Sequence, residues 1–276
     1  MKEGIIMALE NFKPSLWEGS IMENFHESSF VGMITTPPVD KKGGKVIFNR
    51  IQKGVWKNYT SGSPITWDQV ATTKLEMDFP NQKYFAFMVD DCDAVQTKSD
   101  VLKAVTKEQS AVLGEELDQE IIKYMCENVA AENKIGEVGT PTLVKAVNAY
   151  DLLVDLNTLA NKRKIPVTER CYIISPDYLG LLAKDSRFTK EYTILQNGLL
   201  DGATVSGNTL ICKADNPIGS VLLIHKSGTG FAMQLEGTPE AVRLQDYIAD
   251  GVRGLVKYGY VKLRDESSCL AYIKYE

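Results

Sequence analysis

Between Ser99 and Ala131 the apolar residues fall at threes and fours: Val101, Val105, Val112, Leu113, Leu117, Ile121, Met125 and Val129 make one broad stripe. The spacing predicts a single helix over 101–131, with Ser99 or Asp100 as its N-cap. A helix of that length spans about 46 Å, against a globular mean of about 11–12 residues. Such an element is a structural spine, and the rest of the chain must be arranged along it. Gly136, Gly139 and Pro141 close the segment.

On the N-terminal side, residues 11–40 mix Phe12, Trp17, Phe25 and Phe30 with Pro14, Pro37 and Pro38. A short helix near 15–28 is expected, but the regularly spaced apolar positions are too few for a core. The segment reads as an arm that packs on something else. Residues 45–51 (KVIFNRI) favour a strand. The run GVWKNYTSGSPITWDQV over 54–70 places Trp56, Tyr59 and Trp67 around the turn signal Ser61-Gly62-Ser63-Pro64. With a second extended run at 71–79, this predicts a long hairpin with its aromatics near the outer end. An isolated two-stranded ribbon is marginal in water, so this one needs a partner surface.

Residues 84–91 (YFAFMVDD) read as a strand ending in acids. After Pro141 a helix is expected over 142–163, burying Val147, Tyr150, Leu153 and Val154. A strand follows at 170–174, and then a helix at 176–183 opened by Pro176. Turns are expected at Asn197-Gly198, Asp201-Gly202 and Asp250-Gly251, and strands at 203–212, 220–225, 229–236 and through 240–263. The fold class is α+β.

Chemistry is harder to find. Asp90-Asp91-Cys92-Asp93 is acid-dense, but its spacing fits no calcium loop, so it reads as a polar connection. Ser227-Gly228-Thr229-Gly230 lacks a phosphate-loop lysine and reads as a hairpin turn. His225 ends the apolar run VLLIH and reads as a half-buried, satisfied histidine. The five cysteines, Cys92, Cys126, Cys171, Cys212 and Cys269, include no CxxC pair, which points to buried thiols rather than a disulfide framework or a zinc site. No metal, cofactor or catalytic residue is assigned. With 31 Lys and Arg against 36 Asp and Glu, the net charge of −5 is wrong for a protein that grips phosphate backbones. No apolar run approaches the roughly 18 residues of a membrane helix, and the start MKEGIIMALE has no signal-peptide pattern. A soluble protein made in the cytoplasm is expected.

Four runs in order carry a resemblance. MALENFKPSLWEGSIMENF followed by strand, hairpin and YFAFMVDDCDAVQ is similar to the start of tailed-phage major capsid proteins. IPVTERCYIISPDYLGLLAKDSRFT resembles the stretch leading into their axial domain. NGLLDGATVSGNTLICKADN and YIADGVRGLVKYGYVKL complete the series. The family is the one with the Hong Kong ninety-seven phage capsid fold.

That resemblance implies a layout: an N-terminal arm over 1–40, an extended loop over 41–83 lying on a neighbouring subunit, a peripheral domain from 84–145 and 233–276 with the long helix as spine, and an axial domain over 146–232. It implies an icosahedral shell around double-stranded DNA, built from pentamers and hexamers of this chain in the virion after assembly in the host cytoplasm. Scaffolding, portal and head-tail connector proteins would be its partners, with packaged DNA touched non-specifically and no membrane involved. Trp17, Trp56, Tyr59 and Trp67 are the expected inter-subunit contacts. Some relatives weld subunits through Lys–Asn bonds; Lys53 and Lys57 lie on the hairpin, but no signature identifies a matching Asn or acid. The family usually begins near Met7, and codons for Lys2-Glu3-Gly4 can spell a ribosome-binding sequence, so Met7 is the expected start. Three rival readings remain: an encapsulin, a cellular shell that stores a cargo enzyme; an enzyme or sugar-binding domain using the tryptophan hairpin as a lip; and a scaffold-dependent decoration or tail protein.

Overall fold

The structure is a computed structural model that describes residues 29–42, 45–51, 56–67, 72–90, 99–185, 187–188, 193–194, 199–213, 219–243 and 249–276. Trp17, the helix expected near 15–28, Cys92 and its neighbouring acids at 91 and 93, and the Asn197-Gly198 turn lie outside these residues.

The long helix is present as α2 (Ser99–Glu127, 29 residues), about 43 Å at 1.5 Å per residue. It ends four residues earlier than the stripe suggests. Asn128 donates its side-chain N–H to the Tyr124 carbonyl at 2.8 Å, competing for the helix's last acceptors. Ala131–Asn133 then form a 3-10 turn. Leu117, Ile121 and Met125 are buried as expected, with Ile122 and Cys126 beside them. Val112 faces outward and is exposed.

The main sheet is built from β5 (Lys134–Ile135), β6 (Thr142–Val144), β7 (Arg170–Ile174), β8 (Thr193–Ile194), β9 (Leu199–Val205), β10 (Asn208–Cys212), β11 (Ser220–His225) and β14 (Ser268–Tyr275). Its order is β5-β14-β11-β7-β10-β9-β8, with β6 also pairing β14. Every residue of β7 and β11 is buried, because both faces of the sheet are covered. Alternate residues serve two cores. Tyr172, Ile174, Val221, Leu223, Cys269 and Ala271 meet helices α3 (Ala149–Lys162) and α4 (Pro176–Leu182). Cys171, Ile173, Leu222, Ile224 and Leu270 meet α2 and the short helix α1 (Val31–Ile34). The result is two helical layers around one sheet.

Several local expectations yield to this sheet. The helix expected over 142–163 is split: Thr142–Val144 pair in parallel with Ile273–Tyr275 of β14. A turn held by Asn148, which accepts the Lys145 N–H at 2.7 Å, then leads into α3. Val147 lies in that turn and is 80% exposed rather than buried. The strand expected over 203–212 is a hairpin, turned at Ser206 and Gly207 with φ of 52° and 79°. Asp201-Gly202 is no turn; it sits inside β9 where the register to β10 shifts, so the flexible pair is absorbed as an irregularity. Asp250-Gly251 is likewise inside a strand.

That strand is β13 (Ala249–Lys262), which pairs antiparallel with β12 (Thr229–Arg243) on one side and β4 (Asn81–Asp90) on the other. Lys226–Gly228 form a 3-10 turn between β11 and β12. The glycine-rich run therefore passes the chain from one sheet to another instead of turning a hairpin. A third sheet joins β1 (Asp40–Lys42), β2 (Lys45–Ile51) and β3 (Thr72–Met77), confirming the hairpin and adding a strand to its root.

Candidate functional site: an exposed aromatic hairpin

The hairpin is anchored at its root and bare at its tip. Val46, Phe48 and Met77 pack on Ala232 of β12, with Leu75 and Val261 alongside. The ladder runs from Val46↔Met77 to Ile51↔Thr72. At the far end Ser61 and Gly62 turn the chain, Gly62 with a φ of 86° that favours glycine. The Ser63 N–H donates to the Thr60 carbonyl at 3.0 Å, and Lys57 bridges to the Thr66 hydroxyl at 3.1 Å. Around this turn Trp56 is 100% exposed, Trp67 90% and Tyr59 68%. Large aromatic rings of this kind bury roughly 150–250 Å² each when covered. Three in one place make an apolar surface that a soluble chain rarely leaves open.

A second exposed apolar surface escaped the sequence reading. On β4, the edge strand of its sheet, Tyr84 and Met88 stand outward and exposed. On the other side of that strand, Lys83 reaches α2, pairing with Glu116 at 2.5 Å and Glu120 at 3.0 Å. The alternation of YFAFM contains the signal, since only one face of a three-stranded sheet can be covered by one helix.

Among the described residues, three thiols and His225 are buried within the structure. Cys126, Cys171 and Cys269 are buried free thiols, and burial pushes Cys126 and Cys269 up to about 11, well away from a reactive thiolate. His225 is 6% exposed, more deeply buried than expected. Its Nδ1 accepts the Ser227 N–H at 3.1 Å, and burial holds it below the usual imidazole range. Among the described residues, no group of three His, Cys, Asp or Glu side chains could hold a metal ion. A crevice of about 130 Å³ between β4 and α2, lined by Lys83, Phe85, Val112 and Leu113 among others, is smaller than the roughly 300–1,000 Å³ of small-molecule sites.

The sequence reading also missed a buried charge. Asp118 lies on the core side of α2, 1% exposed. Its Oδ1 accepts the Ser29 hydroxyl at 2.6 Å, and its Oδ2 meets the Lys213 ammonium at 2.8 Å. An acid placed between Leu117 and Ile121 on the apolar stripe was the available clue.

No family model matches the chain, and no curated protein matches it. Solved structures do. The protein of Mycobacterium phage Che8 is 21% identical, with 89% of each chain covered and a TM-score of 0.60. The capsid of Cyanophage P-SCSP1u is 13% identical, with 91% of this chain and 89% of that one covered and a TM-score of 0.67. A virus-like particle from Pyrococcus furiosus is 10% identical, with 92% and 96% covered and a TM-score of 0.58. The chain therefore has the α+β phage-capsid fold that the sequence resemblance implied.

Proposed function

We propose that the chain is the major capsid protein of a tailed phage, a tile that assembles with its own copies into an icosahedral shell around double-stranded DNA. The observation that carries this reading is the hairpin with Trp56, Tyr59 and Trp67 bare at its tip, on a body whose fold matches phage capsids over about nine-tenths of its length. A neighbouring tile supplies the surface that the tip lacks. The outward face of β4, with Tyr84 and Met88, is a bed of matching character. Trp17 joins these contacts in the same reading.

The proposed division is an arm over 1–40, an extended loop over 41–83, a peripheral unit of 84–145 and 233–276, and an axial unit of 146–232. β14, from the last stretch, pairs with β11 and so ties the two units together. The tile works by geometry, without catalysis. Identical surfaces meet at slightly different bends in pentamers and hexamers, while α2 and the main sheet stay rigid. Scaffolding, portal and connector proteins and the packaged genome are the further partners, and the virion is the final location.

Negative-stain microscopy of the purified full-length chain, with size-exclusion chromatography, tests the reading. Closed shells or capsomer rings support it. A chain that stays monomeric alone and when co-expressed with the neighbouring genes overturns it. Shells that contain a folded enzyme and no DNA, purified from the native source, would replace the phage reading with the encapsulin one.

A further inference from the structure

We propose that Asp118, Lys213 and Ser29 form a proton-sensitive latch that fastens the chain at residues 29–36 to the long helix more firmly in mild acid than at neutral pH. This inference concerns the single chain and stands apart from the shell reading.

The latch joins elements far apart in sequence. Asp118 projects from α2, Lys213 follows the last residue of β10, and Ser29 and Phe30 lead into α1. The Phe30 ring is fully buried and lies 5.1 Å from the Lys213 ammonium, a cation–π contact. The backbone N–H of Phe30 also points to the Asp118 carboxylate, and the Val31 N–H donates to Ser29 Oγ at 3.2 Å. Further on, the Thr36 N–H donates to the Thr229 carbonyl at 2.9 Å and fixes the segment to β12. Residues 29–36 are thus held to α2, β12 and the end of β10 by these contacts.

The direction of the pH effect follows from which charges face the carboxyl. Among the described residues, the facing charge from the β10 side is Lys213, and from the 29–30 side the neutral Ser29 hydroxyl and Phe30 N–H approach. Removal from water outweighs these favourable contacts, and Asp118 is pushed up to about 6. When the segment lifts away, the carboxyl returns to water and to an ordinary value of about 3.9. The fastened state therefore binds the proton more tightly. Its advantage is fully present below about 3.9 and is lost as pH rises through about 6. A protonated Asp118 still accepts from Ser29. The Lys213 side chain is largely buried, 13% exposed, and its ammonium keeps the Phe30 ring as a partner at 5.1 Å.

Hydrogen exchange with mass spectrometry on the full-length chain reads this directly, after correction for intrinsic rates. Between pH 7.5 and 5.0, protection of the 29–36 amides is expected to rise about tenfold, with the Leu222–Ile224 amides as an internal reference. Asp118→Asn, a neutral isostere, is expected to be protected at both pH values with no such response. Lys213→Met removes the counter-charge and is expected to move the midpoint of the response upward. Three results would each overturn the proposal: equal corrected protection at both pH values, the same response in Asp118→Asn, or an unmoved midpoint in Lys213→Met.

Discussion

The Phe48 ring occupies the space where residue 230 would carry a side chain. A Cβ built on Gly230 would stand 2.6 Å from two ring carbons of Phe48, far inside ordinary contact. The root of the hairpin is seated on β12 through this bare patch of backbone. The glycine-rich run Ser227-Gly228-Thr229-Gly230 thus serves close packing, both here and at Gly228, where the Ser267 side chain lies against the backbone.

Gly230→Ala is expected to destabilise the chain by about 1–3 kcal/mol, the range for overpacking a filled site. The hairpin root has to shift, so hydrogen exchange of β2 and β3 should rise more than that of the main sheet. Denaturant unfolding together with exchange checks this, and an unchanged midpoint would show that the ring yields freely.

Truncating the tip has the opposite signature. Trp56→Ala with Trp67→Ala removes rings that are 100% and 90% exposed in the isolated chain. Unfolding stability is expected to stay within about 0.5 kcal/mol, while shell yield in negative stain falls sharply. Normal shells from the double variant would count against the tip as a contact between tiles.

Arg170 organises the end of α3. It is buried, and it donates to the Pro166 carbonyl at 2.7 Å, to Asn157 and Asn161 at 2.6 and 2.8 Å, and to the Ile165 carbonyl. Lysine cannot reproduce this planar fork. Arg170→Lys is expected to lower stability by about 2–4 kcal/mol, because buried acceptors lose their donors. Urea titration of the two proteins measures the difference.

His225 and Asp118 give pH dependences of opposite sign. Burial lowers His225, with Arg264 and Arg170 acting the same way and Glu169 opposing. The folded state therefore resists its protonation, and stability from this residue falls as pH drops below about 6.5. His225→Gln is expected to flatten the loss of thermal stability between pH 7 and pH 5, while Asp118→Asn is expected to steepen it. Melting curves at both pH values test the pair, and parallel slopes in the two variants would contradict the assignment.

The hairpin tip was legible because indole rings around a Ser-Gly-Ser-Pro turn have no local use, whatever the fold. The bed on β4 and the Asp118 cluster were not. Whether Tyr84 or Phe85 faces the helix depends on how a sheet 170 residues away in sequence is laid against α2, since β4 pairs with Ala249–Tyr258. The Asp118–Ser29 bond likewise closes over 89 residues, and no spacing rule reaches that far.

Where elements are decided by their own residues, the sequence was sufficient by itself. The long helix, the buried strand RCYII, the helix opened by Pro176 and the hairpin all follow from periodicity, β-branching and fixed proline geometry. Tertiary structure decided the rest. It drew Thr142–Val144 out of a helical pattern into a parallel pair with β14, and it carried Asp201-Gly202 and Asp250-Gly251 through strands instead of around turns. Local preferences of this kind are worth about 1 kcal/mol or less per residue. A place in a ladder brings paired backbone groups and buried apolar area, and where the two conflict the larger sum prevails.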